Sequence, residues 1–264
     1  MDGFQAIKVD VDGRGVAHVT LNNPARKNAL SAAMMDDLTR FAGETSAAGV
    51  RVVVLSGEGG AFCAGGDLTW MQAQIEATPE GRRVEARRIA MMLKSLNEMP
   101  VPLIGRVEGL ALGGGVGMAC ICDVAIGSED CKFGLTETRL GLIPATISPY
   151  VIARMGEGRA RQVFMNSRIF RSEEACDLGI VARVVSPDDM DAAIEAEVAP
   201  YLSLPGGAVA RAKSLARFLG PKIDDAVIEA TIDRLAEAWD SDEAREGIAA
   251  FLEKRKPAWA GRGD

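Results

Sequence analysis

The chain has 264 residues, of which 48% are hydrophobic and 25% are charged, and its formal net charge is −7. This length fits one large domain or one domain with a small appendage, and the composition is that of an ordinary globular protein. An acidic balance is poorly suited to wrapping nucleic acid, because that binding needs clustered lysine and arginine to displace counterions. No apolar run approaches the roughly 20 residues of a membrane span, so we expect no membrane association.

The cysteines, the N-terminus and the single histidine predict a reducing, cytoplasmic setting and no metal site. The chain has 5 cysteines without any C-x-x-C pair, each in apolar company, which favours small core residues over disulfides. The stretch MDGFQAIKVD lacks the basic and apolar regions of a secretory signal. His18 lies in a predicted strand, so neither a histidine-rich metal site nor a Ser-His-Asp triad is expected.

The first part of the chain predicts a hairpin followed by a helix. The alternation in FQAIKVDVDGRGVAHVTLNN predicts two strands with a turn at Asp12-Gly13. Residues 31–47 predict a helix that Ser31 can cap. The residues on one face of this helix are Met34, Leu38, Phe41 and Thr45.

Strand and helix patterns continue to alternate up to about residue 133. Short apolar runs predict strands at 51–55, 103–107, 123–127 and 131–133. A helix at 79–98 precedes the second of these strands. Its predicted face consists of Val84, Arg88, Met91, Met92, Ser95 and Leu96. This alternation predicts an α/β core with parallel strands and crossover helices.

The chain from about residue 148 onward is predicted to be almost entirely helical. The predicted helices are 158–166, 172–178, 188–202, 206–219, 222–240 and 242–254. One clean apolar stripe is formed by Met190, Ile194, Val198 and Leu202. A helical tail of about 70 residues with this much apolar surface must fold back on the core or pack on another subunit.

Two glycine-rich turns each follow a predicted strand and precede a helical stretch. They are Ala64-Gly65-Gly66-Asp67 and Gly113-Gly114-Gly115. Glycine lets a ligand atom come within hydrogen-bond distance of the free N–H groups at a helix N-terminus. If the turns converge, they form a two-donor oxyanion hole for a carbonyl oxygen that gains negative charge. Spacing alone fits two tight packing turns equally well, and neither turn is a Walker loop or a clean Rossmann fingerprint.

Five motifs follow one another along nearly the whole chain. They are LNNPARKNAL at 21–30, AFCAGGDL at 61–68, VEGLALGGGVGMACICDVAIGS at 107–128, FGLTETRLGLIP at 133–144 and EACDLGIVARVV at 174–185. In this order and spacing they resemble the enoyl-CoA hydratase/isomerase (crotonase) superfamily. The resemblance implies a crotonase fold of repeated ββα units, with a core domain at 1–195. It also implies a C-terminal helical region at 196–264, for active-site closure and for assembly into a homotrimer or a dimer of trimers.

The resemblance assigns roles to both glycine turns and to one glutamate. In the family, the acyl thioester carbonyl lies between two backbone N–H groups, which correspond here to Gly66 and Gly114. The acid–base residue corresponds to Glu137 in FGLTE. Family hydratases carry a further glutamate shortly after the glycine run, and Gly117 stands at that position. With one carboxylate, Glu137 must both activate water and protonate the α-carbon, or be helped by another group.

The expected function is hydration of an α,β-unsaturated acyl-CoA thioester. A single glutamate also fits a Δ3-Δ2 enoyl-CoA isomerase, and a third interpretation is an acyl-CoA-binding protein without catalysis. The residues around the glycine run look most like methylglutaconyl-CoA-type hydratases, which act in leucine and acyclic terpenoid breakdown. A substrate with its own carboxylate needs a cation, for which Arg139 and Arg106 are candidates, unless both form structural ion pairs.

The resemblance implies coenzyme A as part of the substrate and no prosthetic group. The residues expected along it are Arg26, Lys27, Ala64, Gly65, Gly66, Asp67, Leu68, Gly114 and Lys254. Arg26 and Lys27 are candidates for its phosphates, with a solvated basic loop as the alternative. In FLEKRKPAW at 251–259, Lys254, Arg255 or Lys256 is expected to reach CoA in a neighbouring subunit.

Overall fold

Two sheets form the framework of the molecule, which a computed structural model describes over residues 3–261. The strands are Ile7–Val11 (β1), Val16–Leu21 (β2), Val52–Gly57 (β3), Leu103–Val107 (β4), Leu110–Leu112 (β5), Val124–Ser128 (β6), Lys132–Gly134 (β7), Phe170–Arg171 (β8) and Arg183–Val185 (β9). The larger sheet has the order β1-β2-β3-β4-β6-β9. All its strand pairs except β1–β2 are parallel, which confirms the predicted α/β core.

The N-terminal hairpin forms as predicted, but its turn is longer. β1 and β2 pair antiparallel, with Ile7 opposite Leu21. The connection runs over four positions, from Asp12 to Gly15, because Gly15 has a φ of +85° and Asp12 Oδ1 accepts hydrogen bonds from two downstream N–H groups. The turn therefore includes the predicted Asp12-Gly13 and extends two residues further, to Gly15.

The smaller sheet consists of β5, β7 and β8, with β5 parallel and β8 antiparallel to β7. The sequence patterns did not predict β5, β8 or β9. Each of these strands has only two or three residues, so it shows no period that could be read. Because β8 and β9 lie beyond residue 148, the prediction of an almost wholly helical second half is wrong in these two places.

The helices of the first half are Ala32–Glu44 (α1), Leu68–Glu76 (α2), Pro79–Glu98 (α3) and Gly114–Ile121 (α4). The Ser31 side chain caps α1 by accepting a hydrogen bond from the Met34 N–H, as predicted. All four residues of the predicted α1 face are buried. This helix therefore covers one side of the larger sheet with its apolar face.

Helix α3 has the predicted bounds but turns a different face inward. Val84 is 51% exposed, whereas Arg82, Ala86 and Ala90 are buried. Arg82 is held inside because its guanidinium donates hydrogen bonds to the carbonyl oxygens of residues 74 and 75, over 2.9 and 3.1 Å. The predicted face is therefore wrong at Val84 and at Met91, which is 36% exposed, and right at the buried Met92 and Leu96. A buried arginine does not look apolar in a sequence pattern.

The helices of the second half are Ser148–Met155 (α5), Glu157–Ala160 (α6), Ser172–Asp177 (α7), Met190–Val198 (α8), Gly206–Leu219 (α9), Asp225–Asp240 (α10) and Asp242–Leu252 (α11). The prediction of a helix at 158–166 is wrong, because Gly156 at φ +75° and Ser167 at φ +52° bound a short helix followed by turns. The prediction at 188–202 is too long, because Pro200 lacks the N–H that would continue α8.

Part of the helical tail folds back on the core. Helices α10 and α11 bury an apolar cluster against α3, and this cluster includes Ile232, Leu235 and Trp239. Helix α9 buries none of its side chains and leaves Phe218 83% exposed. The division into units at 1–195 and 196–264 stays a prediction, and residues 1, 2 and 262–264 of those units lie outside the described range. No helix within residues 3–261 has both the length and the apolar character to span a bilayer.

Candidate active site

Three segments far apart in sequence meet beside the smaller sheet. Leu30 pairs with Gly66, and Cys63 pairs with Ala111, in two isolated parallel bridges. The Leu30 N–H donates to the Gly65 carbonyl over 2.7 Å, and the Leu30 carbonyl accepts from the next N–H beyond Gly66 over 3.1 Å. A Cβ placed on Gly65 would lie 3.7 Å from the Gly114 nitrogen. The two glycine turns therefore converge.

The N–H groups of Gly66 and Gly114 are both available to a ligand. In a parallel bridge, the hydrogen bonds of Leu30 go to the residues on either side of Gly66, so the Gly66 N–H points to the other side. Gly114 is the first residue of α4, and its N–H has no acceptor within the helix. The positive end of the α4 dipole adds to its attraction for negative charge. Within residues 3–261 no backbone acceptor is found for either group.

A cavity of about 80 Å³ lies in front of these two donors. Its lining residues are Leu30, Met35, Gly66, Trp70, Met71, Ile89, Gly114, Glu137, Leu142, Ile143, Pro144, Ala145, Thr146, Ile147, Leu235 and Trp239. This lining is apolar except for Glu137 and Thr146, and it includes no lysine, arginine or histidine. The volume suits a small apolar group, so that only the acyl end of a thioester would be enclosed.

Glu137 is the carboxyl group of the cavity. It begins a turn of 3-10 helix, Glu137–Leu140, after β7, and a Cβ on Gly113 would lie 2.9 Å from its Oε1. Its Oε2 is shielded from solvent and has no hydrogen-bond partner among the residues that the structure describes. Burial raises the pKa of Glu137 to about 7, because a desolvated carboxylate loses the hydration that stabilises its charge. A carboxyl group with this pKa exchanges protons efficiently near neutral pH.

Ile147 fills the space in front of Gly117. A Cβ on Gly117 would lie 2.7 Å from the Ile147 Cβ, and closer still to its Cγ2. Gly117 is itself buried in α4. A side chain of any size at position 117 therefore has no room, and the site holds one carboxyl group rather than two.

The residues predicted along coenzyme A form two connected loops outside the cavity. Asp67 caps α2 by accepting hydrogen bonds from the N–H groups of Thr69 and Trp70. Arg26 donates to Asp67 Oδ2 over 2.9 Å and to Thr69 Oγ1 over 2.7 Å. The Arg26 guanidinium is half-exposed and thus holds both loops together while one side stays open to solvent.

The other predicted coenzyme A contacts are spread over the surface. Lys27 is exposed, and its carbonyl accepts the Ala64 N–H over 3.0 Å, which ties it to the first glycine turn. Leu68 is 42% exposed beside this turn. Lys254 is exposed just after α11 and does not line the cavity, while the neighbouring Arg255 is engaged by Glu246. The structure therefore groups the residues of 26–27 and 64–68 and leaves Lys254 apart.

The two arginines considered for a substrate carboxylate differ. Arg106 is paired with Glu108 and Asp191, so it is a structural ion pair away from the cavity. Arg139, two residues after Glu137, donates to the Ser167 carbonyl over 2.9 Å. Within residues 3–261 no carboxylate neutralises Arg139. Its charge is thus available near the Glu137 carboxyl group, although it does not line the cavity.

Cys63 and His18 take no part in the cavity. Cys63 is fully buried beside the first glycine turn, and burial raises the pKa of its thiol to about 12. A thiol with this pKa is not ionised at neutral pH and is no nucleophile. His18 is exposed on β2 and lines a separate groove with Arg106 and Glu108.

Sequence reasoning missed the walls of the cavity. Trp70 and Trp239 meet edge to face with ring centroids 6.1 Å apart, and the Trp70 Nε1–H donates to Glu85 over 2.7 Å. Thr146 was not singled out either. The tryptophans come from α2 and from the C-terminal α10, so only the tertiary fold brings them together. A lone threonine carries no sequence signal.

The connectivity of the larger sheet, together with two backbone donors that face one buried carboxyl group, defines a protein of the crotonase fold class. The sequence model of the "Enoyl-CoA hydratase/isomerase" family matches residues 12–262. The chain therefore belongs to this family.

Relatives and solved structures agree with this assignment. A protein of Bacillus subtilis named "Probable enoyl-CoA hydratase" is 31% identical to this chain, and the aligned region covers 98% of this chain and 100% of that protein. The mitochondrial methylglutaconyl-CoA hydratase of Mus musculus is 30% identical, over 98% of this chain and 84% of its own. The crystal structure of an enoyl-CoA hydratase from Shewanella pealeana superposes with a TM-score of 0.79 at 33% identity, over 97% of this chain and 96% of its own.

Proposed function

We propose that the protein adds water across the double bond of a short α,β-unsaturated acyl-CoA thioester. The observation that carries this proposal is the convergence of Glu137 and the N–H groups of Gly66 and Gly114 on one small cavity. The names of the relatives support the same reaction.

In this reaction the thioester carbonyl oxygen accepts hydrogen bonds from Gly66 and Gly114. Ionised Glu137 takes a proton from a water molecule as the water oxygen bonds to the β-carbon. The negative charge then moves through the α-carbon to the carbonyl oxygen, where the two donors stabilise it. Protonated Glu137 finally gives its proton to the α-carbon, so that H and OH have been added across the double bond and the carboxylate is restored. A pKa of about 7 suits both halves of this cycle.

The proposal is tested by mass spectrometry of thioesters incubated with the purified protein. The panel contains a short 2-enoyl-CoA, a 3-enoyl-CoA and 3-methylglutaconyl-CoA. We expect a product heavier by one water, its loss in Glu137→Gln, and retained CoA binding in that variant. Glu129→Gln, which changes an exposed carboxylate, is the matched control. Full turnover by Glu137→Gln would refute the mechanism.

The acyl group is proposed to be small and uncharged, because no cation lines the cavity. A thioester with its own carboxylate, such as 3-methylglutaconyl-CoA, is the rival substrate and would rely on Arg139. Its guanidinium would then leave the Ser167 carbonyl to meet the carboxylate. Faster turnover of 3-methylglutaconyl-CoA than of the uncharged 2-enoyl-CoA, abolished by Arg139→Gln, would establish the rival and with it a role in leucine breakdown.

A Δ3-Δ2 enoyl-CoA isomerase is the second candidate, favoured by the single carboxyl group of the site. Ile147 leaves no room for a further acid at position 117, and moving a proton between two carbons needs only one. An isomerised 3-enoyl-CoA has unchanged mass and altered chromatographic retention. Binding of acyl-CoA without either product would instead identify a protein that only binds these thioesters.

We also propose that coenzyme A, as part of the substrate, lies along residues 26–27 and 64–68, and that α9 is covered by another copy of this chain. Helix α9 has no buried side chain, and its exposed apolar residues are Leu215, Phe218 and Leu219. The expected assembly is a homotrimer or a dimer of trimers. Sedimentation velocity should show it, and Phe218→Asp should dissociate it. A monomeric wild-type protein would contradict this assembly.

A further inference from the structure

Thr146 is the second polar side chain of the cavity. It lines the same space as Glu137, and it is only 5% exposed. Within residues 3–261 no hydrogen bond of its hydroxyl is found, and its oxygen is not among the side-chain atoms that are shut off from solvent without a partner. A hydroxyl group of a largely buried residue that has no protein partner but stays accessible can still form its hydrogen bond with a small molecule that reaches it. An unpaired hydroxyl at the wall of a cavity is therefore suited to a partner inside the cavity.

The turn that carries Thr146 is held by its own hydrogen bonds. The Ala145 N–H donates to the Ile143 carbonyl over 2.8 Å, and the Ala145 carbonyl accepts from the Ser148 N–H and hydroxyl over 3.0 and 2.6 Å. Thr146 therefore sits in the middle of a fixed turn. The next residue, Ile147, is the one that fills the space in front of Gly117. One turn thus excludes a second carboxyl group and supplies a hydroxyl-bearing side chain to the cavity that holds the first.

We propose that the Thr146 hydroxyl positions the water molecule that attacks the β-carbon. This inference rests on the proposed hydration. Glu137 alone can accept the proton of that water, but one hydrogen bond leaves the water free to rotate about it. A second hydrogen bond, between the water and Thr146 Oγ1, fixes the direction of its attacking lone pair. Thr146 keeps its own proton throughout, and the proton released by water goes to Glu137.

The test compares Thr146→Val, which has nearly the same shape without a hydroxyl, with Thr146→Ser, which keeps the hydroxyl. We expect kcat for hydration to fall roughly five- to twelvefold in Thr146→Val, the upper part of the range for one lost neutral hydrogen bond. Thr146→Ser should stay within about threefold of wild type, and KM should change little in both.

A second measurement separates this role from packing. Exchange of the α-protons of butyryl-CoA with deuterium in D2O uses Glu137 and the two N–H donors but no attacking water. We expect this exchange to be unchanged in Thr146→Val. If wild type and Thr146→Val hydrated the thioester at the same rate, the inference would be overturned and the proposed function would stand. The same holds if Thr146→Val lost hydration and proton exchange to the same extent. If the wild-type protein hydrated no thioester at all, both the proposed function and this inference would be overturned, and the wild type alone would show it.

Discussion

The two glycine turns of the site converge on the same place but differ in what surrounds them. A Cβ on Gly66, in the first turn, would meet only side chains, at 3.5 Å or more, which is ordinary van der Waals contact. In the second turn, a Cβ on Gly114 or Gly115 would come within 3.0 Å of another atom, and so would a Cβ on Gly117, just beyond this turn in α4. Packing against backbone therefore accounts for Gly115, whereas at Gly66 the neighbouring protein leaves room for a side chain.

This difference separates two reasons for a glycine. At Gly115 the space is taken by the backbone of the first turn, and at Gly117 it is taken by the Ile147 side chain. At Gly66 the space that a Cβ would occupy is open to a ligand that enters the cavity. A glycine whose neighbours would tolerate a methyl group is the better indicator of a ligand. Four substitutions test this comparison, and they are given in order of decreasing expected effect on the free energy of unfolding.

Gly115→Ala should have the largest effect. Its Cβ would clash with the Cys63 carbonyl oxygen, which already accepts the Leu112 N–H over 3.0 Å. Because this obstacle is backbone, the two turns must separate, and we expect a loss of more than about 3 kcal/mol in urea unfolding. The control is Gly43→Ala in α1, where the Cβ meets open space and stability should rise by about 0.5–1 kcal/mol. Equal stability of both variants would contradict the packing account.

Glu137→Gln should have the next largest effect, and it should depend on pH. The folded-state pKa of Glu137, about 7, lies above its ordinary value of 4.5, so its protonation stabilises the fold fully below pH 4.5. This contribution is lost as the pH rises through 7. Relative to wild type, Glu137→Gln should therefore gain on the order of 3 kcal/mol between pH 4.5 and pH 8. Urea unfolding at both pH values measures this gain. If the free energies of unfolding of wild type and Glu137→Gln changed with pH in parallel, Glu137 would not be buried against the second turn.

Gly117→Ala should destabilise the protein by about 1–3 kcal/mol, because its Cβ would clash with the Ile147 side chain. This obstacle is a side chain, so it can be removed. In a double-mutant cycle, Ile147→Ala should recover much of the loss and give a favourable coupling of about 1 kcal/mol or more. Additive effects would show that Ile147 is not what keeps position 117 small.

Gly66→Ala should have the smallest effect on stability, within about 0.5 kcal/mol of wild type, because its Cβ finds room and its φ is not left-handed. The methyl group would stand beside Met71 and Trp70, which line the cavity, and hinder the approach of a carbonyl oxygen. We expect kcat/KM to fall roughly tenfold or more, since one oxyanion donor is worth about 2.7–4 kcal/mol. A variant that is both stable and fully active would place the thioester elsewhere.

The sequence patterns predicted the elements that have a clear period and missed those fixed by contacts. The buried face of α1 and the bounds of α3, β4 and α9 follow from periodicity, proline and capping signals. The strands β5, β8 and β9 are too short to show a period, and only their neighbours make them strands. A lone buried arginine, Arg82, was enough to shift the predicted face of α3.

The candidate site shows the same limit. The family motifs point to Gly66, Gly114 and Glu137, and the structure brings these three to one cavity. The pattern also marks Gly117 as a missing acid but cannot say what replaces it, because Ile147 is 30 positions away in the chain. The aromatic wall from α2 and α10 and the unpaired hydroxyl of Thr146 depend on tertiary packing alone.

The isolated bridges from Leu30 to Gly66 and from Cys63 to Ala111 have a consequence for how the chain folds. Each bridge closes a long loop, and non-local pairings of this kind form slowly because the loop entropy must be lost before the contact is gained. The proposed oxyanion donors, the N–H groups of Gly66 and Gly114, come from two separate segments of the chain. We therefore expect a chain in which these long-range pairings have not yet formed to be unable to polarise a thioester.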